Sequence, residues 1–273
     1  MKSMNSRIRF WTRFFLALPL LWPATAAGQA IGLAPAQVVE KFKPGVAFEF
    51  ALASVNNGDQ PVEMSVQITD FWYNEMNEKD FLPPGTSPRS AANWIQFVPE
   101  RFVIPAHGTQ KMRAIVTPPP DARGGYYAVL FVQSKPVLTA QKTKDGKTVF
   151  ANVRIGCLVL LTAEGTTDYK IKLDNVKLTP PTGNRGLSLT FDVTNLGNTH
   201  VFPQGRIAVL GSDRKLVAKA ESEMVRTLPG QKNPLQIDWT GSLAPGNYTA
   251  ILTVTYADEG VETRSVPFTV GGQ

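Results

Sequence analysis

The residues able to do chemistry are few and scattered. Asp70, Glu75, Glu78 and Asp80 form a cluster of carboxylates. Two of them could divide general acid and base work, as glycosidases do, if the fold fixed their spacing and a wall shifted one pKa. They sit in a charged stretch with no evident wall to shift their pKa values, and read as a solvated loop instead. Cys157 is the only cysteine, and His107 and His200 are the only imidazoles. Neither histidine stands in a nucleophile or metal-ligand spacing. A lone thiol closes no internal disulfide, and Cys157 lies in the apolar run 153–161, so it reads as a small buried hydrophobe. The sequence predicts a non-enzymatic protein without catalytic residues, metal site or cofactor, whose chemistry is binding.

The N-terminus gives the compartment. Lys2, Arg7, Arg9 and Arg13 precede the apolar stretch 14–22, and Ala24, Ala26 and Ala27 supply small residues for cleavage. This is the pattern of a secretory signal peptide over 1–27, its apolar part too short to span a bilayer comfortably. With Cys157 the only cysteine, no lipid-modified cysteine is expected at the cleavage site. No later stretch is apolar enough to span, so a soluble periplasmic protein without stable membrane insertion is expected. The chain carries 28 Lys and Arg against 22 Asp and Glu, and the four basic residues of the leader leave 24 against 22. That near balance gives no footing to a nucleic-acid partner.

The elements that must position a binding surface are visible as a repeat. Phe50-x-Leu52-x-Ser54-x-Asn56-x-Gly58 matches Leu189-x-Phe191-x-Val193-x-Asn195-x-Gly197. A Pro/Gly corner follows each copy, Ile104-Pro105-Ala106-His107-Gly108 and Leu228-Pro229-Gly230. Then come Gly125-Tyr126-Tyr127 and Gly246-Asn247-Tyr248. Alternating strands with Gly/Pro turns and almost no helical period predict an all-β protein: two tandem immunoglobulin-like β-sandwiches, over 31–163 and 167–270. Asn56 and Asn195 suit turns, and Tyr127 and Tyr248 suit the buried corner of a sandwich.

The copies differ where function is expected. Gly58 and Gly108 are 50 positions apart and Gly197 and Gly230 are 33, so the first copy carries about 17 more residues, mostly over 71–94. Trp72 and Trp94 in this aromatic, Pro- and Gly-flanked insert either present a surface to a peptide or glycan or fill the first core. The odd positions Val149, Ala151, Val153, Ile155, Cys157, Val159 and Leu161 are all apolar, which predicts a long strand over 149–161. It follows a polar connection at 141–147, and a strand that outruns its sandwich can pair with another chain. The candidate partner-binding residues are Ala151, Val153, Arg154, Ile155, Cys157 and Val159, with Trp72 and Trp94 beside them.

The stretch from Asn93 to Leu161 resembles the first domain of PapD-like periplasmic pilus-assembly chaperones. The resemblance rests on the aromatic strand, the corner at 104–108, the run Gln110-Lys111-Met112-Arg113 and the long alternating strand. It implies capture and capping of exported fimbrial-type subunits by strand addition. It also implies a pair of basic residues in the interdomain cleft that grips the subunit's terminal carboxylate. Arg154 matches the one on the long strand, but 33–39 holds no Arg or Lys for its partner. The segment Pro118-Pro119-Pro120-Asp121-Ala122-Arg123-Gly124-Gly125-Tyr126-Tyr127 also resembles WxL-interacting cell-surface proteins, usually membrane-anchored at a C-terminus unlike 268–273. An adaptor for surface proteins or peptidoglycan is thus the alternative to a subunit chaperone.

Overall fold

The computed structural model describes residues 31–74, 76–142, 145, 148–183, 185–257 and 260–271, with backbone alone over 137–142 and 148–151. The expected leader and Glu75 lie outside them. In the first domain the strands are β1 (Ile31–Ala34), β2 (Gln37–Phe42), β3 (Phe48–Asn56), β4 (Val62–Tyr73), β5 (Lys79–Leu82), β6 (Ile95–Val98), β7 (Arg101–Ile104), β8 (Thr109–Val116), β9 (Gly125–Ser134), β10 (Val137–Lys142), β11 (Thr148–Ala151) and β12 (Arg154–Ala163). The second contains β13 (Ile171–Thr179), β14 (Leu187–Asn195), β15 (Gln204–Leu210), β16 (Leu216–Glu221), β17 (Lys232–Trp239), β18 (Gly246–Thr255) and β19 (Val261–Val270). Among the described residues there is no α-helix, only a 3-10 turn at Ala92–Trp94. The chain is an all-β protein of two sandwiches.

Period-two alternation does most of the folding work. Along β14, Leu187, Leu189, Phe191, Val193 and Asn195 are buried and the residues between them are not. Burying such a side chain contributes about 1.5–3 kcal/mol, which fixes the strand's face and register. In the first domain the sheet β1-β3-β8-β6 packs on β2-β12-β9-β4-β5 around Leu52, Met64, Ile104, Met112, Leu130 and Leu161. In the second, β13-β14-β17 packs on β16-β15-β18-β19 around Leu189, Phe191, Ile207, Ile237 and Leu252. A third buried cluster joins the two: Phe71, Tyr127, Val129, Phe131 and Leu160 meet Leu228.

The repeated asparagines do the same job twice. Asn56 Nδ2 donates to the carbonyls of Gln60 and Pro105, and Gly58 N donates to its Oδ1. Asn195 Nδ2 donates to Thr199 and Thr227, and Gly197 N donates to its Oδ1. Each buried amide ties its own turn to the corner that follows, leaving neither end unpaired. The tyrosines diverge. Tyr248 OH donates to the Ala244 carbonyl at 2.8 Å, a corner bond within one domain. Tyr127 is fully buried between the domains, its ring edge-on to Phe71 and His200, and burial raises its pKa.

Candidate functional site

The apolar run over 149–161 forms two strands rather than one. β11 pairs with β10 in a separate two-stranded ribbon, and the ladder resumes at Arg154. Ser134 spans the break: its N–H donates to the Val153 carbonyl and its hydroxyl accepts from Val153 N. From there β12 is unequally covered. Its antiparallel partner β9 follows it from Arg154 to Thr162. On the other side parallel β2 covers only Leu158 to Ala163. Among the described residues no strand pairs with that edge from Arg154 to Cys157.

The reason is a change of sheet. β1 pairs with β3 in one layer, and only after Pro35 and Ala36 does β2 join β12 in the other. Leu158 N donates to the Ala36 carbonyl, so even-numbered residues of β12 direct their main chain toward this edge. The N–H and C=O groups of Arg154 and Gly156 therefore face outward, as a template for another strand.

The side chains sort by face. Cys157 and Val159 are wholly inside the first core, where burial pushes the thiol pKa up to about 11 and leaves it inert. Their side chains serve packing. Val153 and Ile155 continue the same face, half-buried, yet belong neither to a buried core nor to the side chains packed on one. Only the backbone of Ala151 is described. Arg154 lies on the opposite face, its guanidinium carbon 3.6 Å above the Phe131 ring, and Phe81 meets Phe131 edge-on at 5.0 Å. The face of Phe131 is free for Arg154 because Gly156 opposite it has no side chain. Among the described residues Arg154 has no carboxylate partner.

The tryptophans part company. Trp94 packs on the first core against Phe42 and Tyr126. Trp72 tilts against Tyr127 in the interdomain cluster and lines a pocket of about 280 Å³ with Tyr73, Leu228 and Lys232. Arg226 carries no signal in the sequence that marks it, because its importance lies in contacts across the chain. Its Nη1 donates to Gln37 Oε1 at 2.7 Å and its Nη2 to Tyr73 OH at 3.2 Å. Its Nε is buried and has no hydrogen-bond partner among the described residues. Arg226 thus puts a cation from the second domain beside Gln37, where β2 begins and the open edge of β12 ends. Nearby His200 is held neutral, burial and the Arg226 charge lowering its pKa to about 4.

Asp70 is not in a solvated loop. It ends the core-facing run of β4, fully buried, and accepts from Thr86 N at 2.8 Å, Ser87 N at 2.9 Å and the Ser90 hydroxyl. Its oxygens pin the following loop. Glu78 and Asp80 are exposed on the β4–β5 hairpin. No group of His, Cys, Asp and Glu among the described residues could hold a metal ion. No described helix is long and apolar enough to cross a membrane.

Fold and site together define a two-domain immunoglobulin-like β-sandwich protein with a strand edge that no described residue pairs, beside the contact between its domains. No family model matches the chain, and no curated protein is similar to it in sequence. Solved structures that it resembles include PapD-like fimbrial chaperones. The Class 5 fimbriae chaperone CfaA is 12% identical with a TM-score of 0.46, over 89% of this chain and 100% of that one. The Salmonella enterica SafA pilin–SafB chaperone complex gives 11% and 0.42, over 89% and 97%. The E. coli chaperone DraB gives 11% and 0.42, over 89% and 98%.

Proposed function

We propose that this chain is an exported, non-enzymatic assembly chaperone that captures another extracytoplasmic protein by β-strand addition. The observation that carries the reading is the open edge of β12 at Arg154–Cys157, flanked by Val153 and Ile155, apolar side chains that no core uses. An incoming strand would extend the line of β2. Main-chain bonds to Arg154 and Gly156 would give affinity, and contact with Val153 and Ile155 would give specificity. Arg154, and Arg226 at the far end of the edge, suit an anionic group on the captured segment. The partner class is a small exported subunit of a fimbrial-type fibre, reached in the periplasm through the leader at 1–27.

A photo-crosslinking residue placed at Arg154 in the native cell envelope, followed by mass spectrometry, tests this directly. A small β-rich exported subunit in equal amount supports the reading. Peptidoglycan fragments or large surface proteins would replace it with the surface-adaptor reading, and an empty crosslink would sink it.

A further inference from the structure

The β4–β5 hairpin, part of what the first domain carries beyond its repeat, spends its tip on the other domain. Asn74 orders the tip by accepting from the N–H groups of Met76 and Glu78. Asn77 then adopts φ 63, a left-handed conformation that asparagine tolerates better than most residues. From there it reaches the second domain. Its Nδ2 donates to Asn233 Oδ1 at 2.7 Å, and its Oδ1 accepts from Gln231 Nε2 at 2.7 Å. Gln231 Oε1 accepts from Leu228 N, and Asn233 Nδ2 donates to Thr227 Oγ1. Three amides are thus paired at both ends. Tyr73, paired with Lys79 where the turn begins, accepts from Arg226.

A separate tie lies by the interdomain connection. Gly125 N donates to the Asn198 carbonyl at 2.9 Å, and Asn198 Nδ2 donates to the Thr166 carbonyl at 2.8 Å. Gly124 sits at φ 72, and a Cβ there would lie 2.4 Å from the Asn198 carbonyl oxygen, so the backbones touch. This tie and the buried cluster around Leu228 hold the domains in contact, and the hairpin adds directional hydrogen bonds from a different element that narrow the angle between them.

We propose that the β4–β5 hairpin is a clasp, with Asn77, Gln231 and Asn233 as positioning residues. It holds the second domain at one angle, so that Arg226 stands fixed beside the open edge of β12. The use of that fixed angle rests on the strand-addition reading; the clasp itself does not. Neutral amides make the lock insensitive to salt and to pH.

The test uses the full mature chain, spin-labelled at exposed Lys111 and Lys219 after their replacement by cysteine, with buried Cys157 left in place. Electron–electron double resonance without any partner should give one narrow distance. Asn77→Gly, which removes the amide, keeps the left-handed backbone and leaves Gln231 in place as the acceptor for Leu228 N, should broaden it while urea unfolding of each domain stays near wild type. Capture of the crosslinked subunit should weaken about tenfold, as expected when about a tenth of the population keeps the competent angle. A distribution as narrow as wild type overturns the clasp. Broadening with unchanged capture overturns its positioning role. Absence of capture by the wild-type chain would instead refute strand addition, and the distance measurement would still decide the clasp.

Discussion

Replacing Gly156 by alanine tests how the open edge is equipped. The new Cβ would lie 2.9 Å from Phe131 Cε1 and 3.3 Å from Phe131 Cδ1 and Val129 Cγ1. Val129 is almost fully buried, so the Phe131 ring must tilt. Overpacking of this kind costs about 1–3 kcal/mol, and removing glycine's freedom from a strand returns about 0.5–1 kcal/mol. The net expectation is a loss of about 1 kcal/mol, read from urea unfolding. The tilt also withdraws the ring face under Arg154, a contact contributing about 0.5–1 kcal/mol at an exposed site. Arg154→Ala should therefore lower the urea midpoint only by the loss of that contact, about 0.5–1 kcal/mol in stability, and lower capture of the partner. Gly156→Ala should lower both. Because glycine acts on capture through Phe131 and Arg154, the double variant should capture no worse than Arg154→Ala alone. Losses that simply add would show that Phe131 does not hold Arg154, and the reasoning would fail.

Other expectations follow from the same contacts. Asp70→Ala strands the Ser87 N–H and the Ser90 hydroxyl, while Thr86 N keeps the Pro83 carbonyl, and should cost about 2 kcal/mol in urea unfolding; a change under about 1 kcal/mol would mean that the loop re-solvates freely. His200 is neutral in the fold with its pKa lowered to about 4, so the unfolded chain binds the extra proton below about 6.5. Stability on this account is full above about pH 6.5, falls as pH drops toward 4 and is roughly 2 kcal/mol lower by pH 5. His200→Phe should flatten that slope in unfolding midpoints compared at pH 7 and pH 5. Val153→Asp and Ile155→Asp should abolish capture while circular dichroism is unchanged and stability shifts by less than about 1 kcal/mol. Unfolding of either variant would place those side chains in the core after all.

What depends on local pattern was legible in the amino-acid sequence. Period-two burial along β3 and β14, the paired turns of Asn56 and Asn195, and the division into two sandwiches all follow from residues near one another in the chain. The apolar alternation over 149–161 likewise marked the strand that carries the open edge. It could not say where that alternation leaves the core, because this depends on how far β2 runs alongside. Cys157 and Val159 are buried where β2 begins to pair, while Val153 and Ile155 on the same face lie beyond it. Nor could it separate the two tryptophans, or the buried Asp70 from its exposed neighbours Glu78 and Asp80. The bonds of Asn77 to the second domain and the place of Arg226 come instead from the docking of the two sandwiches. Asn77 and Gln231 are 154 positions apart and Arg226 and Gln37 are 189 apart. Contacts at that separation exist only once both sandwiches have folded and docked, so no local pattern encodes them.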